Sequence, residues 1–473
     1  VDFPLNFVQN NPKPELSSRL ACSNPASYRR HHYPFLGVRL VSWSFETDND
    51  FQEQLNWIDT FTREEIEPLD LLFRGPGDPW DPESPAAAAM APLRAIVKEK
   101  RLWACHIGPE LGGEGYGQVN LGLMNEILGR SRFGPSVFGC QAPDSGNAEI
   151  LAHFGTDHQK KKYLQPLLDG NIASCYSMTE PQAGSDPAQF TCQAVRQGDE
   201  WVINGEKWFA SHARFSEFLL VMVVTDTEVP IHRGASIILV EKNTPGMDIM
   251  RNSAVGPYAE QGDGVHGYIR FTNCRVPADH LLGNEGEGFL VAQTRLGGGR
   301  VHHAMRTVGV LQKAMDMMCE RVLSRTTKGE LLATKQMTQD KISDCYTQIL
   351  QYRLHVLYTA WLIDKHKEYN REVRKEIAAI KAATPKVLQD VIYRAMQLHG
   401  SIGVSDETPL MTMWANIPEL GMVDGPSEVH KVTVARTVLR EYEAAPGLFP
   451  SYHTQTQRDL AMKKYGHLLP NEE

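Results

Sequence analysis

Between residues 301 and 322 the apolar side chains fall at Val301, Met305, Val308, Leu311, Met315, Met318 and Val322. Spacings of three and four place all seven on one face of an α-helix, and so long a stripe is the seam of a helical bundle. Ile377, Ile380, Val387, Val391 and Ala395 mark a second stripe of this kind. The stretch 46–172 is also helical in pattern, as in "FQEQLNWIDTFTREEIEPL" and "VNLGLMNEILGRS", with loops at "GPGDPWDPESP" and "GPELGGEGYG". Between these regions, at 173–284, the period changes. "LLVMVV", "SIILVE" and "GYIRF" read as strands, and "EWVINGEKWF" carries Asn204-Gly205 between two apolar runs, the pair favoured in a two-residue hairpin turn. Residues 1–45 lack periodicity and read as an extended arm. Residues 446–473 read as a polar tail with one helical fragment, "TQRDLAMKKYG". The order predicts an α+β protein: a helical domain at 46–172, a β-domain at 173–284 and a helical bundle at 285–445.

Composition narrows the function classes. A chain of 473 residues with net charge −9 is large enough for several domains and lacks the basic field of a nucleic-acid binder. No apolar run approaches the roughly 20 residues of a membrane-spanning helix. The first residues have neither the basic nor the apolar region of a signal peptide. The eight cysteines form no C-x-x-C pair, and no H-E-x-x-H occurs, so no metal site is expected and the cysteines read as buried thiols.

Four stretches raise chemistry. "GGEGYG" (112–117) and "LGGG" (296–299) are glycine-rich, but neither has the spacing of a dinucleotide or P-loop motif, and each reads as a turn. "CYSMTEPQAGSD" (175–186) ends a strand-like run in a loop of small residues. Its free N–H groups, around Gly184 and Ser185, suit close approach to a flat ring or a pyrophosphate, or else simply join two domains. "GMVDGPSEVH" (421–430) lifts Asp424 out of regular structure in a Gly-Pro turn. That acid is either surface punctuation or a base at the mouth of a site.

"MTEPQAGSD" followed by "VINGEKWFAS" resembles the signature of the acyl-CoA dehydrogenase family. "HFGTDHQKKKYLQPLLDG", "CRVPADHLLG", "GEGFLVAQTRLGGGR" and "QLHGSIGVSDETPL" resemble further segments of that family in the same order, over roughly residues 50–445. The resemblance implies an N-terminal helical domain, a central β-barrel-like domain and a C-terminal four-helix bundle. It also implies FAD, an acyl-CoA substrate oxidised to the trans-2-enoyl-CoA in fatty acid β-oxidation, and an electron-transfer flavoprotein as acceptor. The chain would be a homodimer or tetramer, cytoplasmic in a bacterium and mitochondrial or peroxisomal in a eukaryote. Carried onto this sequence, Tyr176, Met178, Thr179, Gly184 and Ser185 would lie along the flavin and its pyrophosphate. Phe209 and Ser211 stand where the family usually has Trp and Thr. Arg325, Gln397 and Gly400 would reach FAD across a dimer interface, Arg325 by a bidentate fork on the diphosphate. Glu428 stands where the family commonly turns an amide toward FAD.

In the family the base is the Glu of a Y-E-G-T turn. Here the aligned turn reads "VDGP", so the resemblance implies Asp424 as the base candidate, with Arg300 beside it. Two branches carry Asp at this position. One, found in animals behind a kinase-like domain, handles acyl-CoAs including 4-hydroxyacyl-CoAs. "APDSGN", "GRVHHAMRTVG" and "DGPSEVH" resemble it. The other is nitroalkane oxidase, whose Asp deprotonates a nitroalkane carbon. A flavin-bearing DNA-binding protein is a third reading, supported only by the cationic "QKKKYL". His302 and His303 diverge by about 100° on a helix, so they cannot face one site, and we assign the substrate side to His303. Asp144 and Ser145 read equally as helix caps or as contacts to a polar acyl tail.

Overall fold

The structure is a computed structural model and describes residues 46–75, 80–109, 113–259, 264–366, 370–445 and 447–470. The proposed arm at 1–45 lies outside them. Residues from Asn49 onward form one compact unit.

Helices come first: α1 (Asn49–Phe61), α2 (Pro85–Glu99), α3 (Gly117–Leu128) and α4 (Asp144–Phe154). The start of α2 is set by Ser84, whose hydroxyl accepts the Ala87 N–H with Pro85 at the first helical position. Eight strands follow: β1 (Ser174–Ser177), β2 (Gln193–Gln197), β3 (Glu200–Ser211), β4 (Phe218–Val224), β5 (Ala235–Glu241), β6 (Met247–Ser253), β7 (His266–Pro277) and β8 (Leu281–Leu282). They form one sheet in the order β6-β7-β3-β2-β4-β5-β8, with β1 parallel to β4. Every residue of β4 is buried. Its alternate side chains serve two cores: Leu219, Val221 and Val223 face one with Trp201 and Phe271, while Phe218, Leu220 and Met222 face another with α4.

The chain then returns to helix: α5 (Gly288–Ser324), α6 (Gln336–His366), α7 (Arg371–His399), α8 (Ile417–Met422), α9 (Ser427–Leu439) and α10 (Thr454–Tyr465). The predicted stripes on α5 and α7 are core: Val301, Met305, Val308, Leu311, Met318, Ile377, Ile380, Val391 and Ala395 are buried in one cluster shared with α1–α3, Met315 and Val387 pack half-buried against it, and Val322 is buried outside it. The mixed α+β architecture therefore stands as expected from periodicity. No helix among the described residues is long and apolar enough to cross a membrane, and the seven described cysteines are free.

Two local expectations fail. Asn204-Gly205 is not a hairpin turn, because β3 runs unbroken through it and the reversal falls earlier, at Gly198-Asp199 between β2 and β3. Gly205 has φ 136°, and a Cβ there would sit 2.5 Å from the Cys192 Cα, so the glycine admits the neighbouring strand at an irregularity in the β3–β7 register. The "LGGG" stretch is likewise no turn; it lies inside α5.

Candidate active site

Asp424 sits in the four-residue link between α8 and α9. Val423 is extended, Asp424 turns to φ 53° and Gly425 to φ 100°, and Pro426 leads into α9. Asp tolerates the left-handed region better than most residues, and Gly425 needs no Cβ there. The turn is held by its carbonyls. Arg300 Nε donates to the Asp424 carbonyl at 2.8 Å, with His430 Nε2 at 3.2 Å from the same oxygen. Ser427 Oγ donates to Gly421 O, and Lys381 Nζ, from α7, to Leu420 O. No protein donor hydrogen-bonds the Asp424 carboxylate among the described residues.

That carboxylate lies on α5. A Cβ at Gly299 would be 2.9 Å from Asp424 Oδ2, so the missing side chain is the space the acid uses. One turn on, His303 Nε2 is 3.7 Å from Asp424 Oδ2. Burial pushes His303 down to about 4, with Asp424 opposing that shift, so the ring is neutral near pH 7 and leaves the acid without a protonated partner. His302 turns away as the helical geometry requires, and packs edge-on to His106.

From the β-domain, Tyr176 faces the same region; burial pushes its hydroxyl up to about 12, and the Asp424 charge contributes. The Arg295 guanidinium covers the Tyr176 ring at 4.1 Å and donates to Asn147 Oδ1 at 2.9 Å. Glu149, on α4, is the second acid against α5. A Cβ at Gly298 would be 2.8 Å from its Oε2. Burial pushes Glu149 up to about 7, only partly offset by Arg295. Asp144 does not open toward this space. Its Oδ1 accepts the N–H and the hydroxyl of Ser174, both at 2.7 Å, and so ties α4 to β1. Ser145 is buried, with its carbonyl 3.2 Å from His106 Nε2.

The other predicted contacts cluster on the β-domain. Trp208 N donates to Thr179 O at 2.8 Å, and Lys207 Nζ to Met178 O at 2.9 Å, which brings Met178–Thr179 against β3. Lys207 and Glu180 form a fully buried ion pair, and Glu180 also accepts the N–H groups of Thr191 and Cys192, fixing the loop. Phe209 adopts φ 52°, stacks on Trp208 and is 44% exposed as a residue; Ser211 Oγ is 2.9 Å from His266 Nδ1. An exposed aromatic face beside hydroxyls at Thr179 and Ser211 fits a flat heteroaromatic ring. Around Gly184 nothing lies within 4 Å of an added Cβ, so the loop backbone is open to a bulky anion. Arg325, Gln397, Gly400 and Glu428 are all exposed. Arg321 donates to His399 O, which brings the ends of α5 and α7, bearing Arg325 and Gln397–Gly400, to one end of the bundle.

Sequence reasoning missed Glu149, Arg295, Lys381 and His430. Three consecutive glycines inside a helical pattern were the available signal, since each costs helix stability and so points to a close approach.

Three family models match the chain: the acyl-CoA dehydrogenase N-terminal domain at 52–171, the middle domain at 175–274 and the C-terminal domain at 286–439. The chain is 40% identical over 353 residues to "Probable acyl-CoA dehydrogenase FadE2" of Mycobacterium tuberculosis, covering 73% of this chain and 84% of that one. It is 39% identical over 348 residues to "Acyl-CoA dehydrogenase family member 11" of Gallus gallus, covering 73% of this chain but only 44% of that longer protein. A solved Mycobacterium abscessus chain, 35% identical, superposes with a TM-score of 0.77, covering 84% of this chain and all of that one. Glutaryl-coenzyme A dehydrogenase in complex with glutaryl-CoA, 24% identical, shares the fold at a TM-score of 0.72, covering 85% of this chain and 98% of its own. With all three domain models matched in order and the helical, β and helical regions in place, the chain belongs to the acyl-CoA dehydrogenase family.

Proposed function

We propose that the chain is an FAD-dependent acyl-CoA dehydrogenase in which Asp424 takes the α-proton of the acyl thioester, giving the trans-2-enoyl-CoA. The observation that carries this reading is the Asp424 turn. Its carbonyl is clamped by Arg300, while its carboxylate lies over a bare glycine with no hydrogen-bonding partner among the described residues. A base must be both fixed in place and free to accept a proton, and this arrangement meets both demands. Arg300 positions the base through its backbone, and neutral His303 walls one side of it without quenching its charge.

Met178, Thr179, Phe209 and Ser211 would hold the flavin ring, with Gly184 and Ser185 by the pyrophosphate. Arg325, Gln397 and Gly400 of a second copy would meet the adenosine half. When bound, FAD supplies the acceptor for the β-hydrogen, taken as hydride while the α-proton goes to the acid. An electron-transfer flavoprotein would then reoxidise the enzyme.

A finer reading of the substrate has its own support. Arg295 and His303 make the wall beside Asp424 polar, where a plain alkyl chain would gain nothing from charged or polar heads. That wall favours an acyl group bearing oxygen, such as a 4-hydroxyacyl-CoA. The test is anaerobic mixing of the purified flavoprotein with acyl-CoAs of increasing length, each with and without a 4-hydroxyl. Rapid bleaching of the flavin by one class names the substrate. Failure of every CoA ester to bleach it, with peroxide formed from a nitroalkane instead, would refute the dehydrogenase reading.

A further inference from the structure

We propose that Lys381 is a positioning residue for the acid at Asp424: its ammonium holds the base-bearing turn by a backbone carbonyl and supplies a positive charge that the carboxylate faces without touching. The inference rests on the reading of Asp424 as the base.

Lys381 lies on α7 and is fully buried. Lysine is almost never fully buried unless its charge is answered. Among the described residues no carboxylate comes within ion-pair distance of it. Its Nζ instead donates to Leu420 O in the last turn of α8, at 2.5 Å. The link from Leu420 to Asp424 is short, so the bond fixes where the turn begins. Arg300 does the same from α5 at the other end, on the carbonyl of Asp424 itself.

The charged surroundings can be read element by element. Asp424 faces Lys381 from the α8–α9 turn, and Arg300 and His303 face it from α5. His430 faces it from α9. On α8, Glu419 bears instead on Tyr258. From α6, Tyr352 meets α7 at Thr384, hydroxyl to hydroxyl at 2.7 Å. Burial pushes Lys381 down to about 8, with Asp424 opposing that shift and Arg300 adding to it. Lys381 therefore remains a cation through the neutral and acidic range. His303 and His430 are both pushed down to about 4, so near pH 7 the cations bonded to the base-bearing segment are Lys381 and Arg300, with Arg295, also on α5, bearing on Tyr176 and His303 beside it.

Both cations spend their hydrogen bonds on carbonyls of the turn. A direct ion pair would occupy the carboxylate oxygens that must receive the proton. A cation held on a nearby backbone carbonyl stabilises the ionised acid and leaves those oxygens open.

The test compares wild type with Lys381→Met, Lys381→Gln and Lys381→Arg by the pH dependence of anaerobic flavin bleaching, using the acyl-CoA that bleaches wild type fastest. The Gln variant removes the charge and keeps an N–H donor, one atom shorter, on the side of Leu420 O, so it decides the matter where Lys381→Met does not fold. The acid limb of the rate should move up by about 1 pH unit in the Met and Gln variants, the low end of an opposite-charge effect, and return toward wild type in Arg. A merely structural lysine would lower the rate at every pH and leave the limb in place, and that result overturns the proposal. Melting temperature against pH gives a readout free of catalysis. The unfolded chain holds the lysine proton to higher pH than the folded one, so wild type should gain stability relative to Lys381→Gln as pH rises through about 8. Parallel melting curves would overturn the buried-cation assignment. A wild type bleached by no acyl-CoA would sink the base reading and this inference together.

Discussion

Replacing Gly299 with Ala should slow the enzyme while making α5 a better helix. The added methyl carbon would stand 2.9 Å from Asp424 Oδ2, where an ordinary carbon–oxygen contact is about 3.4 Å. Oδ2 ends a short side chain, so the acid yields by about 0.5 Å and the backbone does not need to move. A displacement near 1 Å costs on the order of a hundredfold in rate, so half of it costs about tenfold, or about 1.4 kcal/mol of barrier. The same change replaces a mid-helix glycine and returns up to about 1 kcal/mol of helix propensity. Activity and stability should therefore move in opposite directions. Stopped-flow flavin reduction and thermal melting on the same preparation measure both. Gly298→Ala is the internal comparison: it presents a methyl to Glu149 Oε2 at 2.8 Å and leaves the base alone, so its effect should fall on substrate choice more than on the maximal rate. A Gly299→Ala enzyme that reduces its flavin at the wild-type rate would refute the placement of the base on this helix face.

Three further outcomes follow from the site and its scaffold. Asp424→Asn should fold and retain its flavin, yet reduce it about 10²–10⁴-fold more slowly under anaerobic mixing; a normal rate would remove Asp424 as the base. Lys207→Met leaves the buried Glu180 carboxylate without its cation, although the N–H groups of Thr191 and Cys192, the Gln182 amide and the Thr191 hydroxyl still serve it. It should cost about 3 kcal/mol in urea unfolding and weaken flavin retention by freeing Met178 O; an unchanged midpoint would mean the pair contributes nothing. Gly205→Ala forces a Cβ to within 2.5 Å of the Cys192 backbone at φ 136° and should cost about 2–4 kcal/mol, read as a lowered melting temperature.

What could be read from the sequence was set by the range of the interactions. The α5 and α7 stripes were legible because a helix announces its buried face within a few turns. Met178, Thr179, Phe209 and Ser211 stood out through their motifs, and the structure joins the segments that bear them by bonds between β3 and the loop after β1. Asp424 stood out because Gly and Pro bracket it. Asn204-Gly205 misled because the glycine answers a neighbouring strand, not a local turn. Glu149, Arg295 and Lys381 were invisible for a related reason: a charged residue on a helix is solvated by default, and only contacts from distant segments bury it. For Arg295 those contacts are Asn147 and Tyr176; for Lys381 the contact is Leu420. Asp144, readable as either a cap or a substrate contact, is committed instead to a strand 30 residues away.

The shorter acid and the bare helix face belong to one adaptation. Asp lacks one methylene of Glu, about 1.5 Å of reach, and the shortfall must be met by bringing the carboxyl's surroundings closer. Here the left-handed turn presses the carboxylate onto α5, and Gly299 removes the side chain that would have stood in its way. Gly298 does the same for Glu149, so two acids approach one stretch of helix from opposite partners. Three consecutive glycines cost up to about 3 kcal/mol in helix propensity, which is tolerable in a 37-residue helix whose stability comes from its buried stripe. A helix that had kept ordinary side chains at 298 and 299 would exclude both acids. On the proposed reading of Asp424 as the base, the shorter acid and the Gly299 gap work together, and a longer acid on this turn would press against α5.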